Sequence, residues 1–185
     1  MKKIIFILVL LFSVFFLQSC EKDQSLDPRP LIIDGQYVRL DITSKRLNFD
    51  DITNTYFGGT LSTPGSNNKV AKYNLYVRKT DINQFATEFV LLKTVTSFPY
   101  ELKVTPQDIA TALNVPESSL VFGDLFRFYG ESFDNNGTRV DFYNLSATVQ
   151  STASMKQGYR FITDMTNTNG MAPSELFGYD NYTAQ

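Results

Sequence analysis

A chain of 185 residues with 17 Lys and Arg against 19 Asp and Glu carries a formal charge of −2, which leaves no basic surplus to neutralise nucleic-acid phosphates. It has no His and one Cys, so Ser-His-Asp and Cys-His catalysis, an intrachain disulfide and a thiolate zinc site are excluded. The aromatic fraction of 14%, from 16 Phe and 10 Tyr without Trp, suffices for one packed core and points to a single domain.

Lys2 and Lys3 precede IIFILVLLFSVFFL (4–17), apolar except for Ser13. As a helix this run rises about 21 Å, short of a hydrocarbon core of roughly 30 Å, so an export signal is expected over 1–19 rather than a membrane span. Its removal takes two of the 17 basic residues and no acid, leaving 15 against 19, or −4. The run ends in LQSC (17–20), which holds the only cysteine. This stretch resembles the lipobox of bacterial lipoproteins, in which signal peptidase II cleaves before a cysteine that is then diacylated on sulfur and acylated on its new amine. Gln18 departs from the small residue usual there, as in the looser lipoboxes of Bacteroidota-type lipoproteins. The resemblance implies lipidation of Cys20 and attachment to the membrane through that lipid, since several acyl chains hold a protein where one does so only marginally. The alternative, an ordinary signal peptide followed by a free thiol, leaves an exposed cysteine in an oxidising compartment. Glu21, Lys22 and Asp23 follow at once and resemble the acidic export signal that sends such lipoproteins to the cell surface of the outer membrane.

Residues 20–35 are expected to be a tether, polar and marked by Pro28 and Pro30, with LII (31–33) as a possible first strand. Strand-like runs then succeed one another. YVRLDI (37–42) sets Val38, Leu40 and Ile42 against Tyr37, Arg39 and Asp41. A weak strand in GGTLS (58–62) leads into a Pro-Gly-Ser-Asn loop. VAKYNLYVRK (70–79) puts Ala71, Tyr73, Leu75 and Val77 on one face, with Lys72, Asn74 and Arg78 opposite. EFVLLKTV (88–95) reads as a central strand, and Pro99 in FPYELKV (98–104) suits a strand start. In TPQDIATALNV (105–115) the N-cap Thr105, Pro106 at the first helical position and Asp108 in the first turn predict one short helix near 106–114. GDLFRFYGESF (123–133) and TRVDFY (138–143) flank DNNG, whose Asn136-Gly137 predicts a hairpin with a type I′ turn. YRFITDM (159–165) closes the series. Residues 166–185 form a tail in which LFGY (176–179) is expected either to add a strand or to be disordered. These runs predict a mostly β fold, a single antiparallel sandwich of immunoglobulin or fibronectin III type over 36–165.

Candidate chemistry is sparse. Asp134-Asn135-Asn136-Gly137 begins like a calcium loop, but Val140 and Phe142 interrupt the ligand series, so a hairpin turn is expected and no metal or cofactor. Asp50-Asp51 reads as a solvated loop. Ser151, Ser154 and Lys156 miss the Ser-x-x-Lys spacing. No catalytic residues are assigned. Sugars stack on exposed aromatic rings, and Tyr73, Tyr76, Tyr129 and Tyr143 are the candidate stacking residues; Tyr159 also lies on a predicted strand.

KYNLYVRKTD (72–81), TPQDIATAL (105–113), GDLFRFYGESFDNNGTRVDFYNLSATV (123–149) and GYRF (158–161) together resemble a group of Bacteroidota outer-membrane lipoproteins of immunoglobulin-like fold. Their shared order is strand, short helix, GD-x-F-x-F strand, hairpin, Y-x-N-L and a closing aromatic strand. What this resemblance implies is an accessory lipoprotein of a starch-utilisation-type system, beside a TonB-dependent transporter, that captures a glycan or another nutrient without catalysis. The alternative is a structural or protein-interaction module with no small ligand. Coplanar exposed tyrosines would mark the first, an apolar patch or a bare sheet edge the second.

Overall fold

The computed structural model describes residues 35–167. The expected signal peptide, Cys20, the tether as far as Asp34, the LII run and the LFGY motif lie outside the described residues.

Alternation of apolar and polar side chains produces nine strands in chain order: β1 (Arg39–Ser44), β2 (Leu47–Asn48), β3 (Phe57–Ser62), β4 (Lys72–Thr80), β5 (Val90–Val95), β6 (Tyr100–Val104), β7 (Leu125–Phe133), β8 (Arg139–Val140) and β9 (Arg160–Thr166). They form a three-stranded sheet, β1-β3-β6, and a six-stranded sheet, β2-β9-β7-β4-β5, with β8 also beside β7. Pairing is antiparallel except at two-residue β2, which runs parallel to β9. β9 and β8 share one side of β7, the former along Leu125–Tyr129 and the latter at Ser132 and Phe133.

The two sheets close over one core. Phe57 and Leu61 of β3 and Leu102 and Val104 of β6 meet Tyr73, Leu75 and Val77 of β4, Phe128 of β7 and Phe161 of β9, all buried. Three of the rings stack, Phe57 on Phe128 at 5.2 Å, Phe57 on Phe161 at 5.4 Å and Phe128 on Phe161 at 4.9 Å. Each such side chain removed from water contributes about 1.5–3 kcal/mol, which a domain without disulfides depends on.

The helix α1 (Pro106–Leu113) forms as its N-terminal residues predict. Thr105 Oγ1 accepts from Asp108 N while Asp108 Oδ2 accepts from Thr105 N at 2.8 Å, and Asn114 ends the helix in the left-handed conformation. Buried Ile109 and Ala110 face the β4–β5 side of the sandwich. Thr105→Ala is expected to lower stability by about 1 kcal/mol, read as a shift in urea midpoint, with Thr105→Ser nearly silent.

Four elements depart from expectation. β5 ends its sheet rather than lying within it, and a register shift opposite Leu75 and Tyr76 bulges it. Hydropathy alone does not separate a central from an edge strand. TRVDFY pairs only through Arg139 and Val140, because Asp141 caps a single 3₁₀ turn at Phe142–Asn144. The DNNG turn is not type I′: only Gly137 has positive φ (+82°), and Gly137 N donates to Asp134 O, a type I turn followed by a left-handed glycine. Asp134 Oδ1 accepts from Asn136 N and Thr138 N at 2.8 Å each, so its carboxylate closes the turn. Finally α2 (Ala147–Ser151), capped by Ser146, occupies a stretch in which no helix was expected; five residues are too few to show helical periodicity.

Candidate functional site

The parity of β4 and β7 divides the candidate tyrosines. Tyr73 shares the inward parity of Leu75 and Val77 and is fully buried, its hydroxyl donating to Gly158 O. Stacking on a ligand is thereby closed to it, a correction to its candidacy. Tyr159 is likewise buried, and its hydroxyl accepts from Val38 N and donates to Gln36 O, both at 3.2 Å. Through these two bonds Tyr159 pins residues 36–38 into the core. Burial pushes both phenols well above their ordinary pKa.

Tyr76 and Tyr129 have the opposite parity. They face each other across β4 and β7 on the outside of the six-stranded sheet, with ring centroids 6.4 Å apart and planes inclined at 46°. Phe89, just before β5, lies 5.8 Å from Tyr129 at 49°. Tyr76 and Tyr129 are half-buried and the three rings are mutually tilted, so they offer no common flat platform. Tyr143 is 58% exposed and among the described residues its ring meets that of Phe142 alone, edge-on at 5.7 Å. It is joined to the group through Asp141, which accepts from Tyr143 N at 2.8 Å and from the Tyr129 hydroxyl at 2.7 Å.

Cations are laid over these aromatics. Lys72 sits over Phe133 at 4.5 Å, Arg78 over Phe89 at 4.8 Å and Arg160 over Phe142 at 5.4 Å. Arg139 pairs with Glu131 at 3.1 Å and with Asp141. Burial raises the Asp141 carboxyl, but the Tyr129 hydroxyl, Arg139 and the Tyr143 amide outweigh it and hold the pKa below the usual carboxylate range. A depressed folded pKa contributes stability above the unfolded value of about 3.9, and that stability is lost as pH falls through the folded value. Asp141→Asn is therefore expected to cost about 1 kcal/mol at pH 7, allowing for solvent screening. The gap to wild type should close below about pH 4, as followed by urea midpoints across pH.

Strand periodicity does not reveal the most exposed apolar group among the described residues. The β4–β5 connection is an ordered hairpin tip. Asp81 Oδ1 accepts from Asn83 N and Phe85 N at 2.9 Å, and Thr87 N donates to Lys79 O. Gln84 at φ +68° makes the reversal. This turn holds Ile82 at 53% and Phe85 at 76% exposure, and along the same strand Leu91 is 51% exposed. Leu91 lies opposite Tyr76 and so extends the outer aromatic face to the β5 edge. Asp81 before Asn83 was the available signal, an Asx turn within DINQF. The edge itself is guarded by the bulge and by Lys93, as edges commonly are.

Elsewhere the surface is bland. Asp50 and Asp51 lie on an exposed 3₁₀ turn. Ser154 lies on another, and the neighbouring Lys156 pairs with Asp41. An open hollow of about 610 Å³ beside Gly35, Ser66, Asn67, Asn68 and Lys69 contains no aromatic ring. Among the described residues no three acidic side chains gather as a metal site would require. The chain matches no family model, no curated protein and no solved structure.

Proposed function

We propose that this chain is a lipid-anchored, non-catalytic surface module of immunoglobulin-like type, whose outer six-stranded face docks a protein partner such as an outer-membrane transporter. One observation carries the reading: Phe85, Phe89 and Leu91 are exposed large apolar side chains, gathered at one ordered hairpin and the adjoining sheet face. Exposed apolar groups that are contiguous and held in place are characteristic of docking surfaces. The tilt of Tyr76, Tyr129 and Phe89 weighs against stacked pyranose rings.

A photoreactive residue in place of Leu91, in the full chain within its own outer membrane, is expected to capture one protein. A glycan-array signal without any such crosslink would overturn the reading. A second reading, glycan binding, is favoured by the open Tyr143 ring beside the Asp141 and Arg139 hydrogen-bonding groups; it predicts an array signal lost in Tyr143→Ala. Anchoring has its own check: Cys20→Ala should abolish fatty-acid labelling, and persistent labelling would contradict a lipid on Cys20.

A further inference from the structure

The outer face is charged unevenly. The chain as a whole is acidic, at −2, yet Lys72, Arg78, Arg127, Arg139 and Arg160 all lie on this face or its rim. Three carboxylates near it are already engaged, Glu131 and Asp141 by Arg139 and Asp164 by Arg46. Register places Arg78 directly opposite Arg127, with Cβ atoms about 5 Å apart. Arg127 is oriented by donating Nη1–H to Thr80 Oγ1 at 3.0 Å. Arg78 forms no ion pair among the described residues. Its Nε is sealed from water without a hydrogen-bond partner, and its guanidinium carbon lies over Phe89, 4.8 Å from the ring centroid.

A guanidinium braced on a ring, facing a second one, with exposed apolar side chains alongside, is complementary to a carboxylate carried on an apolar segment. We propose that Arg78 is the specificity residue of this face, taking a glutamate or aspartate from an acidic, apolar-flanked segment of the partner protein while Phe89 and Leu91 receive its apolar neighbours. This rests on the reading of the face as a protein-docking surface. An acidic glycan offers the same carboxylate, but its hydroxyls find no use for Phe85, Ile82 and Leu91, and the protein segment fits better.

The test uses the full chain in detergent and fluorescence polarisation with two labelled synthetic peptides, one alternating leucine with glutamate, the other leucine with glutamine. An oligogalacturonate serves as competitor. Wild type is expected to bind the glutamate peptide at least about tenfold more tightly than the glutamine peptide, the order of a charge-assisted hydrogen bond. Arg78→Gln should erase that preference, Arg78→Lys should retain part of it, and Leu91→Ser should weaken both peptides alike. Arg78→Gln is expected to melt within a few degrees of wild type, which separates lost binding from lost folding. Equal binding of the two peptides, or an unchanged preference in Arg78→Gln, overturns the proposal. So does binding of neither peptide; if the Leu91 crosslink persists in that case, protein docking stands and only the acidic specificity is wrong. Arg78-dependent binding of oligogalacturonate alone would overturn both.

Discussion

Phe128→Ala should cost about 3–5 kcal/mol, a large fraction of the roughly 5–15 kcal/mol that holds a domain folded. Phe128 is 1% exposed and stacks between β3 and β9, against Phe57 at 5.2 Å and Phe161 at 4.9 Å. Its deletion opens a cavity where the two sheets meet, and neither sheet can close it without giving up its own ladder. The urea midpoint should fall with an unchanged slope. A loss below about 1 kcal/mol would mean that the core relaxes far more easily than such stacked packing allows.

Gly59→Ala is the second large effect, and its cause is backbone rather than side chain. A Cβ at position 59 would stand 2.1 Å from Asp41 O and 2.7 Å from Ile42 Cα. Both atoms belong to β1, paired along its length with β3, so nothing flexible can move aside. Overpacking of this kind costs about 3 kcal/mol or more, because β1 must part from β3 to admit one methyl group. The expected result is an insoluble chain or one that unfolds at much lower urea. Wild-type stability in Gly59→Ala would show that β1 and β3 are not so closely apposed.

The strands were legible because burial on one face imposes a period of two, and 72–80 and 125–133 carry that period cleanly. The same period already separated the tyrosines, since Tyr73 shares parity with Leu75 and Val77 while Tyr76 does not. The Thr105–Asp108 cap was legible for a local reason, a reciprocal pair of hydrogen bonds three residues apart. What escaped was non-local or too short to be periodic. The edge position of β5 depends on which strands fail to come beside it. α2 and the Phe142–Asn144 turn rest on single capping residues, Ser146 and Asp141. The turn type at Asn136-Gly137 was decided by the Asp134 carboxylate two residues earlier. The candidate site was half visible: Tyr76, Tyr129 and Tyr143 were singled out, whereas Arg78 meets Phe89, and Leu91 meets Tyr76, only once the β4–β5 hairpin closes.

The surface that binds is the central claim, and a position scan tests it most directly. Photoreactive residues would be placed in the full chain at Leu91 on the six-stranded sheet, at Phe85 and Tyr143 in the turns beside it, and at Thr60 and Glu101, which are hydrogen-bonded to each other on the outside of the three-stranded sheet. Crosslinks to a single protein from Phe85 and Leu91, weaker at Tyr143 and absent from Thr60 and Glu101, are the predicted pattern. Equal capture from both sheets, or capture from Thr60 and Glu101 alone, would contradict it.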